Sequence, residues 1–580
     1  MKTKYTIIYS IVLVTILITA QSFYTNYTRK RAYVPLTSFR GYNKAVAFCA
    51  TPYGAADSTM EISALTGWGN YQFKITTKSD SAQFYFNQGL SMYYAFHTIE
   101  AIASFTKATH LDPSSAMAWY GMALSMGPTI NYPSGYRPPN DAYDASVKSN
   151  LLMGNCTALE KELIAAIVQR YSKDTTANVN QLRTNYATAM LKVYTKYPND
   201  PDVITLYADA LMLLHPWDLY EQDFRPKAWT KEIIALLEKG MSVSPKHPGA
   251  NHYYIHTMEA SAAPERANKS AHLLDTLMPS VSHIVHMPSH IYLRTGEFEQ
   301  GIKNNDLAVK AYEKYTKQYA PIVNGIGFYH GHSIDLKIGC AQMAGNYQIA
   351  SKAAYELKNM IPAVYLGMKG AEGNFVQYMV SEPGLTAVRF GKWDEALKSK
   401  AVDSLPFTSL LTHFTRGMAW SGKGDLKKAR LELKLLNTKL TDTSLKAQME
   451  TFSTAYDAAM VAKLILEGVI ADKGKQYAAA ITSFNRAVIA EDKLTYGEPR
   501  AWPLPARQYL GKTLLNAGKY KDAIAVYNKD LVIYPNNGWT LNGLFQAYQK
   551  VRNSTAAAIT KQKLTAAWKI KDLPITSSVF

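Results

Sequence analysis

Cysteine is scarce: Cys49, Cys156 and Cys340 are the only three in 580 residues, far apart and without paired spacing. A zinc knuckle and a disulfide framework are thereby excluded, and at least one thiol must stay free or buried. Cys340, within the apolar run Ile338 to Met343, reads as a small core residue. Long basic runs are missing too, although the net charge is +18. With no helix-turn-helix or RNA-binding signature either, nucleic acid is not an expected partner, and the charge suits solubility or attraction to an anionic surface. The HExxH motif, a phosphate loop and a nucleophile elbow are all absent, so the chemistries they carry have no support. Charged residues make up 19% and prolines number 25, against 47% hydrophobic residues, a balance that suits one long helical array.

What is present is a repeat. From Gly89, offsets of 12, 16, 19 and 24 residues give Ala101, Phe105, Ala108 and Pro113, the template of the tetratricopeptide (TPR) hairpin. The same offsets from Gly511 give Ala523, Tyr527, Asp530 and Pro535, with an acid at the third position. Gly468 leads to Ala480, Phe484 and Ala487, Gly417 to Ala429, and Gly384 to Ala396. One hairpin cannot bury its apolar stripe alone, so neighbours must stack and share a core. The predicted fold is all-α, a TPR-like alpha-alpha superhelix preceded by an N-terminal signal or anchor helix. Forty tyrosines against nineteen phenylalanines fit half-exposed helix grooves, where a ring packs while its hydroxyl stays wet.

Residues 1–30 carry Lys2 and Lys4 ahead of an apolar run from Ile7 to Ala20, the build of an export signal. Ile18, three back from Ala20, is poor for cleavage there, so a removed peptide and a retained anchor both remain open, and no lipoprotein cysteine follows. Everything beyond is expected to be exported, periplasmic or in the cell envelope, with membrane association only through this segment. Residues 31–80 form an extended segment packing on the first repeats, in which Tyr71 to Ile75 alternates like a short strand. Residues 81–230 form an N-terminal TPR-like region with a Pro/Gly-rich loop at 127–140, of a length that is usually functional or mobile. A second break at 215–227 holds Pro216, Trp217 and Pro226. Residues 231–350 are His-rich repeats, and 351–580 are C-terminal repeats with a capping helix.

The histidines are the sharpest feature. Of thirteen, eight lie between 247 and 332 without counting His272, and two pairs are one repeat apart, since 286 − 252 = 290 − 256 = 34. His252, His256 and Glu259 fall at i, i+4 and i+7, one helical face on which two imidazoles and a carboxylate can hold a divalent metal. Pro288 suits a first helical turn, which puts His286 in the loop before it. His332 opens a further helix, and Gly249 and Gly331 read as turns. A bound metal would take His252, His256 and His290 as its first ligands, Glu259 as a fourth ligand or general base, and His286 and His332 as further ligands. Zn, Fe, Cu and Ni all suit this donor set. Repeat register places Tyr253, Tyr292, His413, Arg416 and Arg507 in the same groove, whereas Trp217 and Trp502 are expected to be packing anchors.

The motifs HPGANHYYIH, HMPSHIYLRTG, GLSMYYAF with EAIASFTKATHLDP, and YGEPRAWPLPARQYLG resemble those of a family of bacterial exported or membrane-associated TPR-repeat proteins. The likeness runs from about Gly67 to Tyr548. It implies the solenoid and a shared polar pocket but no particular reaction. The family's histidine motifs correspond to His252, His256, His286, His290 and His332, and its late motif to Glu498, Trp502, Pro505 and Arg507, which adds Glu498 to the ligand-binding set. Near the first repeat the family pattern has a histidine where this chain has Thr98, and His97 stands beside it.

Three functions follow. A protein or peptide partner held in a concave groove lined by histidines is the default for such arrays. A metal-dependent enzyme or metal-binding protein would use the His252/His256/His290 cluster. A nutrient-binding component at the cell surface is the third, and the missing lipoprotein cysteine counts against it.

Overall fold

The computed structural model describes residues 62–132, 136–319, 327–448, 452–498 and 502–580. All regular structure among them is helical, apart from isolated bridge positions such as the pair Tyr220 and Pro226. Helices follow one another as antiparallel hairpins, each packed on its neighbour in sequence, and the repeat template explains how. In the hairpin Asp80–Tyr94 and Thr98–Leu111, a Cβ on Gly89 would lie 2.9 Å from the Phe105 ring. On the next helix, Ala116–Met126, a Cβ on Gly121 would lie 2.2 Å from that same ring. Phe105 is thus wedged between its own unit and the following one, and only glycine leaves room. Phe484 fills the space at Gly468, and Tyr527 is gripped by Gly511 and Gly543 in the same way. Asp530, the acid in the last template, is buried and accepts hydrogen bonds from Gln508 Nε2 (3.3 Å) and the Thr540 hydroxyl.

The segment 62–79 runs extended along the helix Asp80–Tyr94. Tyr71 to Ile75 is not a strand among the described residues, where no second backbone pairs with it. The N–H groups of Leu65, Phe73 and Ile75 instead donate to the side-chain amides of Gln88, Asn87 and Gln83. The described part of the 127–140 loop is packed rather than loose. Thr129, Ile130, Asn131 and Tyr132 are buried, and Arg170 Nη2 donates to Pro128 O at 2.8 Å. Cys156 and Cys340 are free and buried, whereas Cys49 lies outside the described residues.

The leader at 1–30 and most of the segment 31–80 also lie outside them. Among the described residues no helix is long and apolar enough to cross a membrane. One apolar cluster is continuous from Ile62 to Tyr292. The C-terminal repeats return against the middle of the chain, where Trp539 Nε1 donates to Gln342 O (2.8 Å) and Asn536 Nδ2 to Thr295 O (3.1 Å). That return brings residues 496–498 onto the histidine region.

Candidate metal centre

The helix Pro248–Met258 starts with its own cap: His247 Nδ1 accepts from Ala250 N at 3.1 Å, and Pro248 fills the first turn. Gly249, expected as a turn, sits inside this helix, where a Cβ would lie 2.4 Å from the Tyr94 ring. The tight approach sets His252 Nδ1 2.6 Å from Tyr94 O, so this nitrogen donates and the Nε2 lone pair is left free. One turn on, His256 Nδ1 meets Glu259 Oε1 at 3.0 Å and Glu498 Oε1 at 3.2 Å.

The second pair is built differently from the first, so the 34-residue match is not a structural repeat. His286 ends the five-residue helix Ser282–His286, and His290 belongs to the next helix, Pro288–Thr295. His286 Nδ1 lies 2.6 Å from Asn305 Oδ1. Asn305 is itself oriented, because its Nδ2 donates to Gly301 O at 2.9 Å. His286 Nδ1 therefore carries the hydrogen, and its Nε2 lies 2.8 Å from His290 Nε2. The far side of the His290 ring, Nδ1, is 2.8 Å from Glu259 Oε2 as an ion-pair contact, without the alignment of a good hydrogen bond.

Two further rings complete the group. His283, three residues before His286, packs 5.0 Å from the His252 ring, and His332 packs 4.6 Å from that of His286. Potential ligand atoms of His252, His256 and His283 all lie within 4.8 Å of one another, and so do those of His286, His290 and His332. His256, Glu259 and Glu498 form a third such set. Glu259 lies between the two triads, one oxygen toward His256 and the other toward His290.

The six rings are 0–1% exposed. They do not line an open groove, contrary to the expected concave surface. Burial first, and then neighbouring imidazoles, hold His252, His283, His286 and His332 well below the ordinary imidazole range, so they are neutral. Burial alone would push the Glu259 carboxyl up, but His290 and His256 outweigh it and hold it well below the usual carboxylate range. Glu498 goes the other way, raised by burial and by Glu259 beside it, and is the protonated member of the pair.

Ring nitrogens without a hydrogen-bond partner remain at His252, His256, His283 and His332. A buried polar atom left unpaired costs about 1–3 kcal/mol, and such atoms are rare in folded proteins. Imidazoles with free lone pairs, oriented by a backbone carbonyl and an asparagine, could serve as donors to a transition metal, with those two groups as outer support. The surrounding backbone is strained as well. Among the described residues, seven non-glycine positions have left-handed φ. Three of them, Phe96, Trp217 and Glu498, touch these rings: Phe96 stands 4.5 Å from His252 and Trp217 5.5 Å from His256. Strain concentrated in this way is common at functional sites.

The structure thus brings together His252, His256, Glu259, His286, His290, His332 and Glu498. Tyr253 borders them, stacked 5.4 Å from Phe96. The other residues placed by register serve local pairs instead. Tyr292 donates to Asp275 (3.1 Å), His413 and Arg416 both hold Glu432 (2.8 and 2.7 Å), and Arg507 grips Asp492 with two bonds of 2.6 and 2.5 Å. Sequence reasoning did not count His283 as a candidate ligand, although its place three before His286 was visible. It also missed two residues that hold Glu259. Tyr496 donates to its Oε2 at 2.8 Å, and Arg294 donates to its backbone oxygen at 2.6 Å.

No family model matches the chain, and no curated protein is similar to it. Similar solved structures include the human IFIT1 dimer with PPP-AAAA, 12% identical over 84% of this chain and 91% of that one, with a TM-score of 0.29. Yeast Tom70 is 12% identical over 86% and 93%, with a TM-score of 0.33. The APC/C hetero-tetramer Cut9-Hcn1 is 12% identical over 85% and 94%, with a TM-score of 0.27. At such scores the likenesses carry no argument, and the fold rests on the chain's own hairpins.

Proposed function

We propose that this chain is a metalloprotein whose buried histidine centre holds two ions of a divalent transition metal and acts on a small molecule. The observation that carries this reading is the pair of separate three-histidine sets on either side of one ionised carboxylate, Glu259. His252, His256 and His283 would hold one ion, and His286, His290 and His332 the other. Once bound, such ions supply Lewis-acid or redox chemistry. The protein's part is then to exclude water, to keep His252, His283, His286 and His332 neutral and to hold one proton on Glu498 beside the ionised Glu259. Arg294 and Tyr496 position Glu259 from behind.

Membership of the exported bacterial TPR family that the histidine motifs resemble, and a place in the cell envelope, belong to this proposal. Docking of a protein or peptide has no comparable support: among the described residues the large apolar side chains most open to solvent, Val532, Leu151 and Ile489, belong to three different helices. The test is a Co(II) titration of the metal-free full-length chain, followed by its visible absorption. Ligand-field bands that grow to two equivalents support the proposal, and the absence of any band overturns it.

A further inference from the structure

Beside the histidine centre lies a cavity that its chemistry does not absorb. The helix Gly327–Ala344 carries His332 and, one turn further, Asp335. Asp335 faces a cavity whose wall also includes Gln342, Tyr378, Glu382, Tyr496 and Trp502. Tyr496 is the partition, with its ring in this wall and its hydroxyl on Glu259 Oε2 at 2.8 Å.

Two features of the cavity are incomplete. Asp335 and Glu382 are 5% and 1% exposed, yet neither makes an ion pair among the described residues, in a chain with 63 lysines and arginines. Glu382 has only neutral partners, such as Gln342 Nε2 at 3.4 Å. Burial, and for Asp335 the neighbouring Glu382, push both carboxyls up, as expected where a counter-charge is missing. The second feature is the Trp502 indole. It is 1% exposed, lies in the same wall, and its Nε1–H has no acceptor among the described residues. Arg294, also in the wall, pairs with neither carboxyl; its guanidinium is turned to Glu259 O and Ser261 O, to which it donates.

Two carboxyls without a cation, one N–H donor without an acceptor and the aromatic rings of Tyr378, Tyr496, Trp502 and Tyr534 make a complementary set. An ammonium group satisfies the carboxyls and is attracted to aromatic faces, and an oxygen on the same molecule satisfies the indole. We propose that this cavity binds a small organic ammonium compound that also carries an oxygen acceptor, with its nitrogen between Asp335 and Glu382 and its oxygen on Trp502 Nε1. One side chain from Glu259, that ligand is placed as the substrate of the histidine centre, and this last step rests on the metal reading.

The experiment is calorimetric titration of the metal-free full-length chain with ethanolamine, with ethylene glycol as the uncharged analogue of the same size. Ethanolamine should bind at least tenfold more tightly than the glycol, and the preference should vanish in the double variant Asp335→Asn/Glu382→Gln. Those amides keep the volume and mimic the protonated acids; should the double variant not fold, Glu382→Gln alone is to reduce the preference at least threefold. Trp502→Phe should weaken ethanolamine but not ethylamine. Equal binding of the two compounds by wild type, or a preference that survives in the folded carboxyl variants, overturns the proposal. Ethanolamine binding by a chain that takes up no metal would leave the cavity standing and remove the metal reading. Metal uptake without ethanolamine binding would do the reverse.

Discussion

His286 Nε2 and His290 Nε2 face each other at 2.8 Å, while the opposite nitrogens of the two rings are turned toward Asn305 and Glu259. With hydrogens on those outer nitrogens, two lone pairs meet across the gap, an arrangement that needs a cation or an added proton between them. The same residues that make this contact set up the second three-histidine site.

Asn305 should therefore matter although it touches no ion. Its Oδ1 fixes the His286 tautomer, and removal of such a support costs about 10- to 100-fold in metal affinity. Asn305→Leu should show that loss for one of two ions in competition with a chelator and leave the other unchanged. Equal affinity in the variant would remove Asn305 from the account.

Acid should remove what the buried histidines contribute to the stability of the metal-free protein. His252, His283, His286 and His332 have folded values well below the ordinary 6.5. An unfolded chain takes up a proton at each as the pH falls through 6.5, and the folded chain does not. Their contribution is thus fully present above that pH and is lost below it, at about 1.4 kcal/mol per imidazole per pH unit until the depressed values are reached. The raised carboxyls Glu498, Asp335 and Glu382 act with the opposite sign, so the histidine part is read as a difference: from pH 7 to 5.5 the urea midpoint of the metal-free wild type should lose ground against that of a His283→Gln/His332→Gln variant. A difference that stays constant from pH 7 to 5.5 would contradict the neutral histidines.

The repeat template makes its own prediction. Gly121→Ala would place a Cβ 2.2 Å from the Phe105 ring, and overpacking of this kind costs about 1–3 kcal/mol. Gly154→Ala, where nothing lies within 4 Å, is the control and should change stability by less than about 0.5 kcal/mol. Thermal melts of the two variants compare them directly, and equal melting temperatures would remove the wedge from the account of the fold.

The hairpins were legible because each repeat states its own packing: Gly89, Ala101 and Phe105 fix one helix crossing from local sequence. His252, His256 and Glu259 were legible for the same reason, as one helix places them on one face. Glu498 joins them across 239 residues (498 − 259), and Tyr496 and His332 arrive by equally non-local routes that no spacing encodes. Register alone misled at His413, Arg416 and Arg507, where a nearby carboxylate claims each side chain. A repeat copies the direction of a side chain, but the partner it meets is set by tertiary packing.

The central claim is that two histidine sets hold two ions, and elemental analysis tests it most directly. Metal-free full-length protein is reloaded with Zn, Fe, Cu or Ni in turn, dialysed and counted, beside His256→Ala and His332→Ala. The account predicts two ions per chain for at least one of these metals, and about one in each variant. No bound metal in the folded wild-type protein, or a count unchanged by both substitutions, would contradict it.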